Sequence, residues 1–288
     1  MSAISIDLAG SLAATGLSDD AARERVALRR ILRILGSLAL GLMATTTVWW
    51  VFVTFGGTER LVTKSPTDVW HYLFDDAKAS AHRSVIFGEL GTTLRDALFG
   101  YIAGTIAAIV VSSLFVLRRG FESTVMPIAM LLRSVPLVAM VPVITLIFGR
   151  DILAVTVISG IITFFPTLVN VTFGLRAVPS QGIDLMRAYG STPGRTLRMI
   201  RLPYAMPSLF ASMRIAVPGA VIGALLAEWL ATGKGLGYQM LKAQSTFDYT
   251  SIWASVAVLT FTTLVLYALV GILETPVQAR FDPDRLRE

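Results

Sequence analysis

Residues 184–203 read DLMRAYGSTPGRTLRMIRLP, a polar, arginine-rich stretch set between two long apolar runs. Asp184 to Tyr189 can form a short helix that Gly190 ends, because glycine enters the left-handed backbone of a helix C-terminus without steric cost. Thr192 then offers an N-cap hydroxyl, and Pro193 suits the first helical position, where no backbone donor is needed. A second helix is expected to run to about Arg201 and to stop at Pro203. The product is a helix-turn-helix elbow. In its second helix Arg195, Arg198 and Arg201 recur every third residue, while Leu197 and Ile200 fall on an apolar side. That is the form of a docking surface or of a basic face at the headgroup level.

The runs around the elbow decide the class. Apolar segments of the roughly 20 residues needed to cross about 30 Å of hydrocarbon lie near 34–55, 94–117, 124–148, 152–174, 207–230 and 251–273. An all-α integral membrane protein with six transmembrane helices is expected. The composition agrees: of 288 residues, 54% are hydrophobic and 15% charged, with a mean hydropathy of +0.68, whereas a soluble domain carries about a quarter charged residues. With no cysteine and two histidines, His71 and His82, disulfide scaffolds, thiolate metal sites and cysteine nucleophiles are excluded. The first run, Ile34 to Phe55, is too long and too far into the chain for a signal peptide, so it is expected to remain as an anchor.

The net charge of +6 is read from where the charges fall. Fifteen of the 25 Lys and Arg precede run 1 or follow runs 2, 4 and 6, and seven lie opposite them. This bias places both termini in the cytoplasm and residues 56–93 and 231–250 outside. Residues 1–33 are expected to form a cytoplasmic tail and an interfacial helix, with Ser18 as N-cap, Asp19 and Asp20 in the first turn, and residues 1–17 poorly ordered. Residues 34–273 form the membrane domain with the cytoplasmic loop 175–206, and residues 274–288 a cytoplasmic tail.

Span 3 carries Pro127, Pro136 and Pro142. Each removes a backbone donor and crowds the preceding turn, so the span is expected to be bent or broken. Irregular backbone at membrane depth is tolerated only against protein or a water-filled cavity, which places this span toward the bundle interior. Arg133 and Glu228 are ionisable residues within spans, where a charge costs at least a few kcal/mol unless it pairs, meets water or anchors a polar contact. Arg133, Pro136 and Glu228 are therefore the candidates for a translocation path, with a structural ion pair or polar anchor as the competing role. Arg214 is expected to snorkel to the cytoplasmic side, and Arg95 with Asp96 to reach water at the outer end of span 2.

At the elbow the sequence resembles the membrane permease family of binding-protein-dependent, ATP-driven importers. The family's loop opens with Glu-Ala-Ala, places a Gly four residues after the second Ala, and closes nine residues later with Ile-x-Leu-Pro. Here Asp184, Leu185 and Met186 stand at the opening, followed at the same spacing by Gly190 and by Ile200, Leu202 and Pro203. Asp184 keeps the charge; Leu185 and Met186 stand where the family has small residues. Ser65 to Val69, Leu132 to Pro136, Phe165-Pro166, Pro203 with Pro207, Ala227-Glu228 and Gly235 to Tyr238 look, in order, like motifs of the nitrate, sulfonate and taurine branch. The resemblance covers about residues 30 to 280.

It implies a type I importer permease fold in a bacterial inner or plasma membrane. It implies that Asp184, Gly190, Ile200, Leu202 and Pro203 couple to a separate ATPase, with Gly190 making the sharp turn. The implied assembly is two permease copies, two cytosolic ATPases and one external solute-binding protein, surrounded by lipid and without nucleic acid. The chain would bind no cofactor itself and have no catalytic or metal site, ATP and Mg being used by the partner. In keeping with this, the Gly233-Lys234 pair lacks the spaced glycine and the following Ser or Thr of a phosphate loop, and Gly233, Gly235 and Gly237 are expected to form flexible outer turns or a contact to the binding protein. The solute would be small and polar or anionic. Two other classes stay open: a stand-alone channel or secondary carrier using Arg133 and Glu228, and a membrane scaffold whose basic elbow recruits a cytosolic partner.

Overall fold

The computed structural model describes residues 32, 36, 38–56 and 61–281. The interfacial helix expected from about residue 19 and residues 282–288 of the C-terminal tail lie outside the described residues. The described elements are helices: α1 (Leu38–Phe55), α2 (Pro66–Trp70), α3 (Ala79–Leu117), α4 (Arg119–Ser134), α5 (Leu137–Phe148), α6 (Ile152–Arg176), α7 (Ser180–Ala188), α8 (Pro193–Thr196), α9 (Leu202–Ala227), α10 (Gly235–Ser245) and α11 (Tyr249–Phe281).

Helices α3, α6 and α9 pack around one another at the centre, and α11 lies against α9. Small residues allow this. A Cβ on Gly104 would stand 2.5 Å from the Gly160 carbonyl oxygen, and one on Gly223 2.5 Å from Ser159 Cα. Helices in lipid gain from such close van der Waals contact and from hydrogen bonds between them rather than from a hydrophobic drive. Accordingly the Ser159 hydroxyl donates to the Ala220 carbonyl at 2.9 Å, the Thr163 hydroxyl to Gly100 at 3.3 Å, and the Ser112 hydroxyl to Leu168 at 3.1 Å.

Among the described residues five helices are long and apolar enough to cross a membrane, and α4 with α5, bent by 106° at the break between them, makes a sixth if the pair counts as one span. The break sits at one proline. Val135 is extended at φ −75°, ψ 127° ahead of Pro136, as the proline ring requires of its predecessor. Pro127 and Pro142 remain inside α4 and α5, so the expectation that all three distort the span holds only for Pro136. Ala129, Val141 and Ile144 of this span are buried in the core as expected, but the break itself is not covered by this chain: residues 131–136 are all exposed.

Three further boundaries differ from the sequence reading. Helix α3 starts at Ala79 rather than 94 and, with 39 residues, is about 58 Å long at 1.5 Å per residue. Helix α11 runs beyond 273 to Phe281. Pro203 does not stop the elbow's second helix. A π-helical turn over Leu197–Arg201 lets the Leu202 N–H reach back five residues to the Leu197 carbonyl, which accommodates a proline that would lack its donor in the α register. Residues Pro193–Thr232 are thus one 40-residue helix, roughly 60 Å from end to end.

Between α1 and α3, the Ser65-Pro66-Thr67-Asp68 motif is a capping box: Asp68 N–H donates to the Ser65 hydroxyl at 3.2 Å and Ser65 N–H to the Asp68 carboxylate at 2.8 Å. Partial burial works against the charge on Asp68, but the Ser65 hydrogen bonds and nearby Lys64 outweigh it and hold the carboxyl below its ordinary value. The chain leading into this box is clamped by two indoles. Trp49 of α1 and Trp253 of α11 stack at 5.4 Å, and their N–H groups donate to the carbonyls of Lys64 and Val62 at 3.0 Å each. Trp is suited to this place at a membrane boundary, with an apolar body and one donor.

Candidate functional site

The residues of interest lie at three places, two of them at the ends of the 40-residue helix. At its N-terminal end the elbow forms as the sequence dictates. Helix α7 closes with Gly190 at φ +67°, its N–H donating to the Arg187 carbonyl and the Ser191 N–H to the Met186 carbonyl, both at 2.9 Å. These two bonds, with a left-handed glycine, make a Schellman cap. The Thr192 hydroxyl then accepts the Arg195 N–H at 3.3 Å, with Pro193 at the helix start.

The structure divides the five coupling candidates into two groups. Asp184 and Gly190 are exposed, along with Leu185, Tyr189 and Met199. Ile200, Leu202 and Pro203 are half-buried, and Leu202 packs on the cluster of Val171, Leu175, Leu197 and Ala205. The first group is a surface and the second a base that joins the elbow to the membrane domain. Arg201 strengthens the base by donating to the Leu175 carbonyl at 2.8 Å, near the end of α6, where cations are favoured.

At the other end of the helix, Glu228 is fully buried and lies in a π-helical turn over Glu228–Thr232. The chain turns back through Gly233 and enters α10 with its N-terminus pointing into protein. The first three N–H groups of α10 have no partner within their own helix, and three side chains supply one. Gly235 N–H donates to Glu89 at 2.8 Å, Leu236 N–H to the Thr93 hydroxyl at 2.9 Å, and Gly237 N–H to Glu228 at 2.7 Å. A carboxylate at a helix N-terminus also meets the positive end of the helix dipole. Gly235 is required here: its φ is +86°, and a Cβ would fall 2.1 Å from Glu228 Oε1. Gly235 and Gly237 are therefore part of a cross-braced junction of α3, α9 and α10, and Gly233 makes the left-handed turn that leads into it. Glu228 thereby ties the end of α9 to the start of α10.

The third place is the break in span 3. Arg133, Leu132, Val135, Leu137 and Met140 face Ile161, Ile162, Phe165 and Pro166 of α6 across a cavity of about 180 Å³. Arg133 and Glu228 make no ion pair with each other. Pro136 shapes this place by making the bend. Arg214 does not simply snorkel: its guanidinium is 3.2 Å from the carboxylate of buried Glu274 on α11 and 5.3 Å from the Tyr267 ring centre. Asp96 is also buried rather than near water, and Arg95 pairs with it at 2.8 Å.

Glu89, Thr93 and Glu274 escaped the sequence reading. The spacing of Glu89, Thr93 and Asp96 at i, i+4 and i+7 on a helix is the signal that marks a polar stripe on α3. Glu274 lay just beyond the assigned end of the last span, and only the longer helix brings it beside Arg214.

Residues 100–283 match the family model described as binding-protein-dependent transport system inner membrane component. The riboflavin transport system permease protein RibX of Chloroflexus aurantiacus is 29% identical over 82% of this chain and 87% of its own length. The formylaminopyrimidine transport permease protein ThiX of Halalkalibacterium halodurans is 30% identical over 66% and 76%. The putative aliphatic sulfonates transport permease protein SsuC of Bacillus subtilis is 24% identical over 65% and 64%. Among solved structures, a chain of the methionine ABC transporter MetNI in an inward-facing conformation superposes with a TM-score of 0.51 at 20% identity, over 75% of this chain and 99% of that one.

Proposed function

The chain belongs to the family of binding-protein-dependent transport system inner membrane components and is a multi-pass permease subunit of an ATP-driven importer, and we propose that its elbow over residues 184–203 is the part that engages the ATPase. The ATPase is a separate subunit, so ATP and Mg are used there. The observation that carries the proposal is the continuity of Pro193–Thr232. A push on the exposed elbow is applied to one end of a rod whose other end is locked by Glu228 and Gly237 to α10 and, through Glu89 and Thr93, to α3. Alternating access then follows as a rigid displacement of packed helices rather than as a local rearrangement.

Two copies of the chain meet along the faces that a single chain leaves bare. The break at Val135 and Pro136 is exposed here, and open backbone of this kind is stable at membrane depth only when protein or a water-filled cavity covers it. Two ATPases and one external binding protein complete the assembly, with both termini of the permease in the cytoplasm as the arginine bias requires. The solute is small and polar or anionic: relatives carry the names of riboflavin, formylaminopyrimidine and aliphatic sulfonate transport, and Arg133 favours an anion.

Vesicle uptake separates this from a carrier. Membrane vesicles holding the permease, its ATPase and the solute-loaded binding protein are expected to take up solute with ATP and not with an ion gradient alone. Flux driven by the gradient without ATP would make the chain a carrier.

A further inference from the structure

Resting on the permease reading, we propose that the cavity at the break of span 3 is a transient subsite for a small organic anion with a compact apolar body, its charged group held by Arg133. Three features converge on this chemistry. Arg133 lies in a span, is exposed to the cavity, and has no acidic partner among the described residues. By contrast Arg95 on α3 and Arg214 on α9 are paired with Asp96 and Glu274. A cation at membrane depth needs a counter-charge or water, and the bare guanidinium offers a planar set of donors matched to a carboxylate or sulfonate.

The rest of the wall is apolar: Leu132, Met140, Ile161, Ile162 and Phe165 among others. No acid lines the cavity, so a cationic ligand finds nothing there and an inorganic anion leaves the wall unused. The volume of about 180 Å³ equals that of roughly six waters, enough for a short alkyl chain or one ring and too small for a drug-sized molecule. Ile161, Ile162, Phe165 and Pro166 belong to α6, which packs on α9. Movement of the rod therefore reaches this wall, as release of a transported solute requires.

The test uses the intact permease–ATPase complex in phosphatidylcholine nanodiscs, with benzenesulfonate, sulfate and benzyl alcohol as probes and calorimetry or ligand-observed NMR as readout. Benzenesulfonate is expected to bind more tightly than sulfate or benzyl alcohol. Arg133→Gln should weaken it roughly tenfold or more, the loss expected for one charge-assisted hydrogen bond, and Arg133→Lys should retain part of the affinity. Equal binding to wild type and Arg133→Gln, or no preference for benzenesulfonate, overturns the subsite. Loss of that binding on adding phosphatidylglycerol also overturns it, because a lipid headgroup is then the occupant. ATP hydrolysis stimulated by the binding protein is measured in parallel. If it is intact while the probes fail, the subsite alone is wrong; if it is absent in the wild type, the permease reading fails.

Discussion

Gly235→Ala and Glu228→Ala are expected to be the most destabilising single substitutions at the junction of α3, α9 and α10, each costing on the order of 2–4 kcal/mol. In the first, the new Cβ would stand 2.1 Å from Glu228 Oε1 at a residue whose φ is +86°, so overlap and backbone strain act together. In the second, removing the carboxyl leaves the buried Gly237 N–H without its acceptor and opens a void. Both should lower the thermal midpoint of the detergent-solubilised protein and reduce its yield in the membrane. Glu228→Gln decides the role. Its amide oxygen still accepts the Gly237 N–H, so an anchor keeps most of its stability and transport. A carboxyl that carried protons or met the solute would lose transport in that variant while the protein remained folded.

Gly190→Pro is expected to abolish ATP-driven transport while leaving the membrane domain folded. Proline fixes φ near −65°, whereas Gly190 sits at +67°, and it removes the N–H that donates to Arg187. The Schellman cap is lost, and α7 can no longer turn back on α8. Gly190→Ala is the milder control. Nothing lies within 4 Å of its new Cβ, so it bears only the left-handed backbone cost of about 1–2 kcal/mol. Co-purification with the ATPase is the readout: Gly190→Pro should lose the ATPase and Gly190→Ala should keep it. Full ATPase recovery with Gly190→Pro would remove the elbow from the coupling role.

What the sequence made legible was mostly local. The caps at Gly190 and Thr192 depend on residues within five positions of one another, and their side chains and backbone donors lie where the motifs put them. That span 3 breaks at a proline was legible for the same reason, since the ring acts on the residue beside it, but which of Pro127, Pro136 and Pro142 makes the break was not. Pro203 was misread because its cost depends on register: a π turn one step earlier absorbs the missing donor, and no residue type announces such a turn. The junction at Glu228 was beyond a sequence reading because its bonds join residues far apart in the chain, as with Glu89 and Gly235. Only the packing of α3 on α9 brings them together. The same holds for Arg214 and Glu274, which sit on different helices.

The most direct measurement of coupling is the distance between the elbows of the two copies in the proposed assembly, reconstituted with the ATPase. The chain has no cysteine, so Tyr189→Cys creates one labelling site per copy, at a residue 82% exposed on the elbow. With spin labels there, the elbow-to-elbow distance is expected to shorten when a non-hydrolysable ATP analogue closes the ATPase pair, and to lengthen again when nucleotide is removed. An unchanged distance distribution with the ATPase sites fully occupied would contradict the claim that residues 184–203 carry the motion into the membrane.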